Sequence, residues 1–336
     1  MTTGNAAADI CAIYVDTGTT NTRGWLQRGD RILARRHKPV GVRNTARDGQ
    51  PSQLRTALKE LIAELDSTAA ANGDGPSWVI GAGMLSSSLG LAELPHIPAP
   101  CGTLELAQAA RVCRFPEITA LPLLLVPGVI CGVPPDGPDF PRHFDVMRGE
   151  ETLCLGLVQQ QLLKTPGVVV TLGSHWKAIR VDGEGRIISS TTTLSGELIH
   201  ALQTRTILAA SVPLNYPDQL DLKWVEAGAA TPQPSGLSRT LFKVRLLDLS
   251  GQGSPVQRLS FLIGAFIGSD LEPLLNNRDL TGHEGLVISG NVAIAEGWRH
   301  VLSSRSIAAT VLTSAETDSA FLTGLQEILL RFLCAY

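Results

Sequence analysis

The chain has 336 residues, 44% hydrophobic and 18% charged, long enough for two domains that each bury a core. Its 28 Lys and Arg against 31 Asp and Glu give a formal net charge of -3, which leaves no basic surplus for gripping a phosphate backbone and excludes nonspecific nucleic-acid binding. The six cysteines (Cys11, Cys101, Cys113, Cys131, Cys154, Cys334) form no C-x-x-C pair and mostly sit among apolar neighbours, which argues against structural zinc and suits a reducing cytoplasm.

Residues 1–9 lack the basic and apolar segments of a secretory signal, so a cytoplasmic protein is expected. Residues 10–15 are a short β-prone run, and after a turn the chain resumes as a strand over 23–27 that ends at Arg28-Gly29-Asp30. Residues 31–37 supply a third strand. Leu54, Leu58, Leu61, Ile62 and Leu65 then carry the spacing of an amphipathic helix over 52–71, so the opening is βββα. A strand at 78–80 enters Gly81-Ala82-Gly83-Met84, a helix is predicted over 103–112, and a Pro-rich strand region follows over 119–133. Pro122 and Pro127 break its apolar run 121–133, which is too short to span a bilayer and reads as a buried strand.

The plan then repeats. A helix over 150–164 is separated by Pro166-Gly167 from a β-branched strand over 168–172, and residues 176–181 and 186–193 flank the turn Asp182-Gly183-Glu184-Gly185 as a second meander. Residues 231–238 read as a surface loop. A helix over 259–275, strands at 286–289 and 311–313, and a closing helix over 318–332 complete the chain. In that last helix Ala320 and Gly324 stand four apart, which permits close approach to another element. The predicted domains are 1–160, with helix 318–336 packing back on it, and 161–317.

The first turn, Asp16 to Arg23, ends its strand with an acid, a flexible glycine and a row of hydroxyl and amide side chains. Backbone N–H groups with Thr19, Thr20 and Asn21 suit phosphate oxygens, and Gly18 permits close backbone approach. Asp16 suits a hydrated Mg2+, which needs only one or two carboxylates, and Arg23 is placed to neutralise charge on a transferring group. Taken alone, the same residues also describe a polar hairpin. No Gly-Lys-Ser/Thr follows and the turn leads into a strand, which excludes a Walker loop and a dinucleotide fingerprint.

Gly173-Ser174-His175 is a second strand-and-turn cradle, at the start of the second half, and Ile288-Ser289-Gly290-Asn291 is a third. Between the first two lies Met147-Arg148-Gly149-Glu150-Glu151-Thr152, preceded by His143 and Asp145. Adjacent acids at a helix start suit the helix dipole without further purpose. Trp25, Trp176 and Trp224 are expected to be core residues rather than platforms for adenine.

In this order the cradles resemble the two-lobed actin-like ATPase fold shared by actin, hexokinases and many sugar kinases: ribonuclease H-like duplicated βββαβα domains with ATP in the interlobe cleft. The resemblance implies that Gly290 lies where adenosine is accepted, and that Glu150 is the carboxylate that glycerol and xylulose kinases carry within a Gly-Asp-Gln at a helix start. The stretch Asp16 to Trp25, Gly81-Ala82-Gly83-Met84, Met147 to Thr152, Gly173-Ser174-His175-Trp176-Lys177, Ser195-Gly196-Glu197-Leu198 and Asp318 to Gly324 together resemble the 2-dehydro-3-deoxygalactonokinase family over nearly the whole chain. This chain departs from the family in having Thr17, Thr19 and Leu172 where other members carry Trp, Ser and Pro.

The resemblance implies an ATP- and Mg2+-dependent kinase acting on 2-dehydro-3-deoxy-D-galactonate in galactonate breakdown. Glu150 is then the expected base, with Glu151 and Asp145 as alternatives. Asp16 holds the metal, and Thr19, Thr20, Asn21, Gly173, Ser174 and His175 hold phosphates. Arg148 is the first candidate for the acceptor's carboxylate, with Arg142, His143, Lys177 and the turn containing Gly83 and Met84 as competitors. The expected partners are a small keto-deoxy sugar acid and at most a second copy of the chain in a homodimer, with neither nucleic acid nor membrane. Rival readings are a kinase of the same fold for a pentulose or amino sugar, and a non-catalytic nucleotide-binding regulator.

Overall fold

The computed structural model describes residues 10–71, 75–137 and 144–335. The chain divides into two compact units: Met1–Gln160 with Arg186–Ile188 and Ser319–Tyr336, and Gln161–Gly185 with Ser189–Asp318.

The first unit opens with the antiparallel meander Cys11–Thr17 (β1), Thr22–Arg28 (β2) and Arg31–Lys38 (β3), followed by helices Val42–Asp48 (α1) and Ser52–Ala71 (α2). Then come Trp78–Gly83 (β4), Ile97–Pro98 (β5), helix Thr103–Ala109 (α3), Arg111–Cys113 (β6), Leu123–Leu125 (β7), Val129–Cys131 (β8), Asp145–Met147 (β9) and helix Glu150–Gln159 (α4). The main sheet has the order β3-β2-β1-β4-β7-β6, with β1 and β4 parallel, and β5-β8-β9 form a small sheet beside it. Strand β1 is central and covered on both faces, as its unbroken apolar run requires. One side of the sheet is sealed by α2, whose Leu54, Leu58, Leu61 and Leu65 are almost fully buried, each worth about 1.5–3 kcal/mol. Leu61 and Leu65 lie directly over Gly24 of β2, where a side chain would meet them.

The second unit repeats the opening: Gly167–Leu172 (β10), Trp176–Val181 (β11) and Ile187–Thr193 (β12), then helix Ser195–Arg205 (α5). Helices Leu222–Ala230 (α6), Pro232–Ser235 (α7), Leu237–Leu249 (α8) and Pro255–Asn276 (α9) precede Gly285–Gly290 (β13), helix Val292–Ser304 (α10) and Thr310–Val311 (β14). The sheet order is β12-β11-β10-β13-β14, with β10 parallel to β13 as β1 is to β4. The core lies between this sheet and the helices, centred on Phe266, Ile263, Ile288 and Trp298. Helices α6 and α9 approach backbone to backbone: a Cβ on Gly228, Gly264 or Gly268 would collide with carbonyls of Phe261, Val225 and Ala229.

Helix Ser314–Ala335 (α11) closes the chain. From residue 319 on it packs in the first unit, where Ala320 and Gly324 let it cross α4 without intervening side chains. A Cβ on Gly156 would strike the Ala320 carbonyl, and one on Gly324 the Thr152 carbonyl. Gln160 Nε2 donates to Thr323 Oγ1 at 2.7 Å, Phe321 meets the Trp25 ring at 5.9 Å, and Gln27 Nε2 donates to Gln326 Oε1 at 3.1 Å.

Several elements differ from the sequence reading. The helix expected over 103–112 stops at Ala109, because Ala110 is extended and residues 111–113 pair with β7. The helix expected over 150–164 stops at Gln159, and Gln161 takes a positive φ of 58° before Pro166. Residues 231–238 are not a simple loop: 232–235 form α7 and α8 begins at 237, with Gly236 at φ 75° between them, and Pro232 at the first helical position has its φ preset for a helix and loses no hydrogen bond there. The buried strand expected over 121–133 is two short strands, β7 and β8.

Candidate active site

In the first unit the β1–β2 turn is shut at its neck by two buried threonines. Thr17 Oγ1 and Thr22 Oγ1 lie 3.2 Å apart, and Thr22 donates to the Val40 carbonyl at 2.8 Å. Helix α1 then fixes the turn's carbonyls, since Val42 N–H donates to Gly18 C=O at 3.2 Å and Arg43 N–H to Thr19 C=O at 2.8 Å. This approach requires a glycine at 41, where a Cβ would stand 2.6 Å from both carbonyl oxygens. In a trans peptide the N–H points opposite its carbonyl, so the N–H groups of Thr19 and Thr20 face away from α1. Successive amides aimed to one side make an anion cradle. Asn21 lies at the exposed rim, its side chain between Thr20 Oγ1 (2.9 Å) and His37 Nε2 (3.1 Å).

The second unit builds the same device with three turn residues. Glu197 N–H at the start of α5 donates to Ser174 C=O at 2.7 Å, and Gly196 lies so close to the turn that a Cβ would overlap Gly173 C=O. The His175 N–H therefore faces away from α5. The His175 ring is 40% exposed, with Nε2 3.6 Å from Glu197 Oε2.

The parallel strands beside the two turns end alike. Gly83 (φ 72°) faces Thr17, and Gly290 (φ 138°) faces Leu172. In both, a Cβ would sit 2.6 Å from the carbonyl oxygen opposite. The side chains diverge: the register positions of Asp16 and Arg23 in the first meander are held by Thr171 and Lys177 in the second. Lys177 is 7% exposed and its Nζ donates to Thr192 Oγ1 at 2.8 Å. Asn291, next to Gly290, caps α10 by accepting from Ile294 N–H at 3.2 Å.

The charged groups gather in the first unit. Arg23 Nη2 donates to Asp16 Oδ2 at 2.7 Å, and its guanidinium stands 5.4 Å from the Trp25 ring centre. Arg23 thus reaches first for Asp16. Asp16 Oδ1 is turned toward two glycines: it would lie 3.0 Å from a Cβ on Gly83 and 4.0 Å from one on Gly149. Gly149 has a φ of 105°, and its own Cβ would come within 3.2 Å of Gly83 Cα. Backbone on backbone, the start of α4 is set against the end of β4, which brings the half-buried Glu150, first residue of α4, to the neighbourhood of Asp16. The donor chemistry fits a hydrated Mg2+: one carboxylate oxygen, Oδ1, suits an ion that needs only one or two carboxylates and keeps several waters. Among the described residues no three His, Cys, Asp or Glu side chains cluster as a metal cage.

Glu151 is fully buried, and both its carboxyl oxygens accept the Gly149 N–H, at 2.7 and 2.8 Å. Burial and the adjacent Glu150 push its pKa up to about 8, against the opposing pull of the backbone bonds and Arg148. Arg148 is turned the other way. Nη1 donates to Ser86 C=O (2.6 Å) and Ser86 Oγ (2.9 Å), and Nη2 to Leu94 C=O (2.7 Å) with His96 Nδ1 at 3.4 Å. Its four terminal N–H bonds are thus directed at the loop that follows Gly83 and Met84. Burial lowers the Arg148 pKa, and burial with the Arg148 charge lowers that of His96 to about 4. Asp145 accepts from the Val146 N–H at 2.9 Å. Arg142 and His143 lie outside the described residues.

Trp25 and Trp176 are 2% exposed and packed on Phe321 and Trp298, and Trp224 covers Gly253. Four residues that matter to this geometry were not singled out for it in the sequence: Gly41, Gly196, Ser195 and Asp270. For Asp270 a signal existed, an acid close behind the apolar run 261–268.

A model of the 2-keto-3-deoxy-galactonokinase family matches residues 16–328. The 2-dehydro-3-deoxygalactonokinase of Escherichia coli (strain K12) is 25% identical over 321 residues, covering 94% of this chain and 96% of that one. A crystal structure from Sinorhizobium meliloti, provisionally described as a 2-dehydro-3-deoxygalactonokinase protein, has a TM-score of 0.71 at 25% identity and covers 94% of this chain and 97% of its own. The activator of 2-hydroxyisocaproyl-CoA dehydratase from Clostridium difficile is similar in fold alone, with a TM-score of 0.50, 13% identity and 97% coverage of each chain. The fold is that of the actin-like ATPases and sugar kinases.

Proposed function

The chain belongs to the 2-keto-3-deoxy-galactonokinase family, and on that premise we propose that it transfers the γ-phosphoryl group of ATP to the terminal hydroxyl of 2-dehydro-3-deoxy-D-galactonate. The products are the 6-phosphate and ADP, and the reaction belongs to galactonate breakdown in the cytoplasm. The observation that carries the catalytic assignment is the close approach of Gly149 to Gly83 and Asp16, which puts the start of α4, where Glu150 is the first residue, beside the end of β1.

Glu150 orients the acceptor hydroxyl and takes its proton as the oxygen attacks the γ-phosphorus and the bond to the ADP oxygen breaks. Such transfers depend mainly on positioning and charge stabilisation. Asp16 holds Mg2+, which when bound neutralises charge on the phosphates. Arg23 keeps Oδ2 of Asp16 engaged, so Oδ1 is the oxygen that would hold the ion. The amides of Thr19 and Thr20, and those of Ser174 and His175, cradle phosphate oxygens, while Gly18 and Gly173 give them room. Gly290 ends its strand without a side chain where the nucleoside is received. Glu151 serves Gly149, and Arg148 serves the loop after Met84, rather than either binding the acceptor; Gly83 and Met84 offer backbone donors to it.

The test is an ADP-coupled assay over aldoses, ketoses and 2-keto-3-deoxy acids, run on wild type and Glu150→Gln. The variant loses a factor of about 10² to 10⁴ in kcat and keeps its affinity for ATP. Wild-type kcat in the variant passes the role of base to Glu151 or Asp145. Absence of turnover with every keto-deoxy acid overturns the substrate assignment.

A further inference from the structure

Helix α9 is apolar along its buried face, from Leu259 through Phe261, Leu262, Ile263, Phe266 and Ile267, and Asp270 interrupts that face with a half-buried carboxylate. Its Oδ2 accepts two hydrogen bonds, from Ser195 Oγ at 2.6 Å and Thr193 Oγ1 at 2.8 Å, and the two hydroxyl oxygens lie 3.0 Å apart. Thr193 is the last residue of β12 and Ser195 the first of α5, with Leu194 alone between them. A single carboxylate oxygen therefore ties a strand end to a helix start, which fixes the direction in which α5 leaves the sheet.

That direction sets the next two residues against another turn. The first turn of α5 bears on the turn at 173–175: Glu197 N–H holds Ser174 C=O at 2.7 Å, and Gly196 lies against Gly173 C=O with no space for a Cβ. Fixing these carbonyls on the α5 side fixes the Ser174 and His175 N–H groups on the other side.

We propose that Asp270 is a positioning residue for the nucleotide, acting through Ser195 and the first turn of α5 to aim the amides of the Gly173–His175 turn at phosphate. This rests on reading that turn as a phosphate cradle. Asp270 touches no reacting atom; its effect falls on nucleotide affinity rather than on the chemical step. Burial raises its pKa and the two hydroxyl donors oppose that rise. A carboxylate kept here at that cost marks a site where an acceptor oxygen is required.

The experiment is calorimetric titration of the full chain with MgADP, alongside kcat and KM for ATP and a thermal melt. Ser195→Ala and Asp270→Ala each raise the Kd for ADP about fivefold or more, as expected for loss of a charge-assisted bond that orders a site. KM for ATP rises with it and kcat at saturating ATP changes little. Asp270→Asn keeps an acceptor oxygen and restores the affinity to within about twofold of wild type. A role confined to holding the fold together lowers the melting temperature of these variants and leaves Kd where it was, which overturns the proposal. If Asp270→Ala does not fold, the double variant Thr193→Val with Ser195→Ala removes both donors and reads the same quantity. Gly173→Val, whose Cβ meets nothing closer than the His175 carbonyl at 3.8 Å, separates the proposal from its premise. If Gly173→Val leaves Kd unchanged, the cradle reading fails and the proposal with it. If Gly173→Val weakens ADP while Ser195→Ala and Asp270→Ala do not, the positioning role alone fails.

Discussion

Glu151→Gln tests the electrostatics of the α4 start. The carboxyl of Glu151 is fully buried and carries a pKa raised from 4.5 to about 8, first by burial and then by Glu150. A rise of that size separates the two protonation states by roughly 5 kcal/mol. The sign follows from proton counting. Between about pH 4.5 and 8 the folded chain holds a proton at this site that the unfolded chain has released, so this group's stabilising contribution is complete below pH 4.5 and is lost as pH rises to 8. The slope is about 1.4 kcal/mol per pH unit. Glutamine copies the neutral acid, keeps one oxygen for the Gly149 N–H and does not titrate. Urea unfolding of both proteins at intervals from pH 5 to 9 reads the group together with its coupling to Glu150, because titrations not coupled to Glu151 cancel in the difference. Glu151→Gln should gain on wild type steadily from pH 5 to 8 and hold a constant advantage above. Parallel curves across that window refute the reasoning, since Glu151 would then be ionised in the fold at neutral pH, held by the Gly149 N–H and Arg148 in spite of burial.

Three other outcomes are expected. Gly324→Ala forces a Cβ into the Thr152 carbonyl and should destabilise the fold by at least about 3 kcal/mol, seen as a lower midpoint in urea unfolding. Gly83→Ala adds strain at a positive φ and a methyl 3.0 Å from Asp16 Oδ1, so kcat should fall by more than about tenfold, while Gly49→Ala, also at positive φ but with open space around it, loses stability alone. Arg148→Ala leaves the Ser86 and Leu94 carbonyls without their charged donor and should cost about 3 kcal/mol in thermal or urea unfolding, whereas a substrate-binding arginine would raise KM for the sugar acid without that loss.

How much of this was legible depended on where each partner lay in the chain. The turn at Asp16 declared itself because its acid, glycine and hydroxyls are consecutive, and the second turn because it stands in the same place in a repeated strand pattern. Gly149-Glu150-Glu151 showed that acids meet a helix start, but not that one would be half-buried and the other sealed. That Arg148 turns to Ser86 and to the Leu94 carbonyl had no sequence signal, because a backbone carbonyl leaves no trace in residue type. The short helices of the second unit escaped for another reason. Their best signals are caps, Asp221 for α6 and Asn291 for α10. Gly41 and Gly196 are glycines whose reason lies in the carbonyl of a remote turn, which only coordinates disclose.

The crossing of α4 and α11 imposes an order on biosynthesis. The helix that carries Glu150 is seated on a groove made by residues 320 and 324, and the ribosome makes nearly all of the second unit before it reaches them. A nascent chain can form the meander, the helix α2 over it and the first cradle early. It then waits, with Gly156 and its neighbours uncovered, until α11 emerges. The helix that carries Glu150 therefore lacks its partner until the end of the chain is free of the ribosome, and chains interrupted before residue 320 leave the Gly156 side of α4 uncovered.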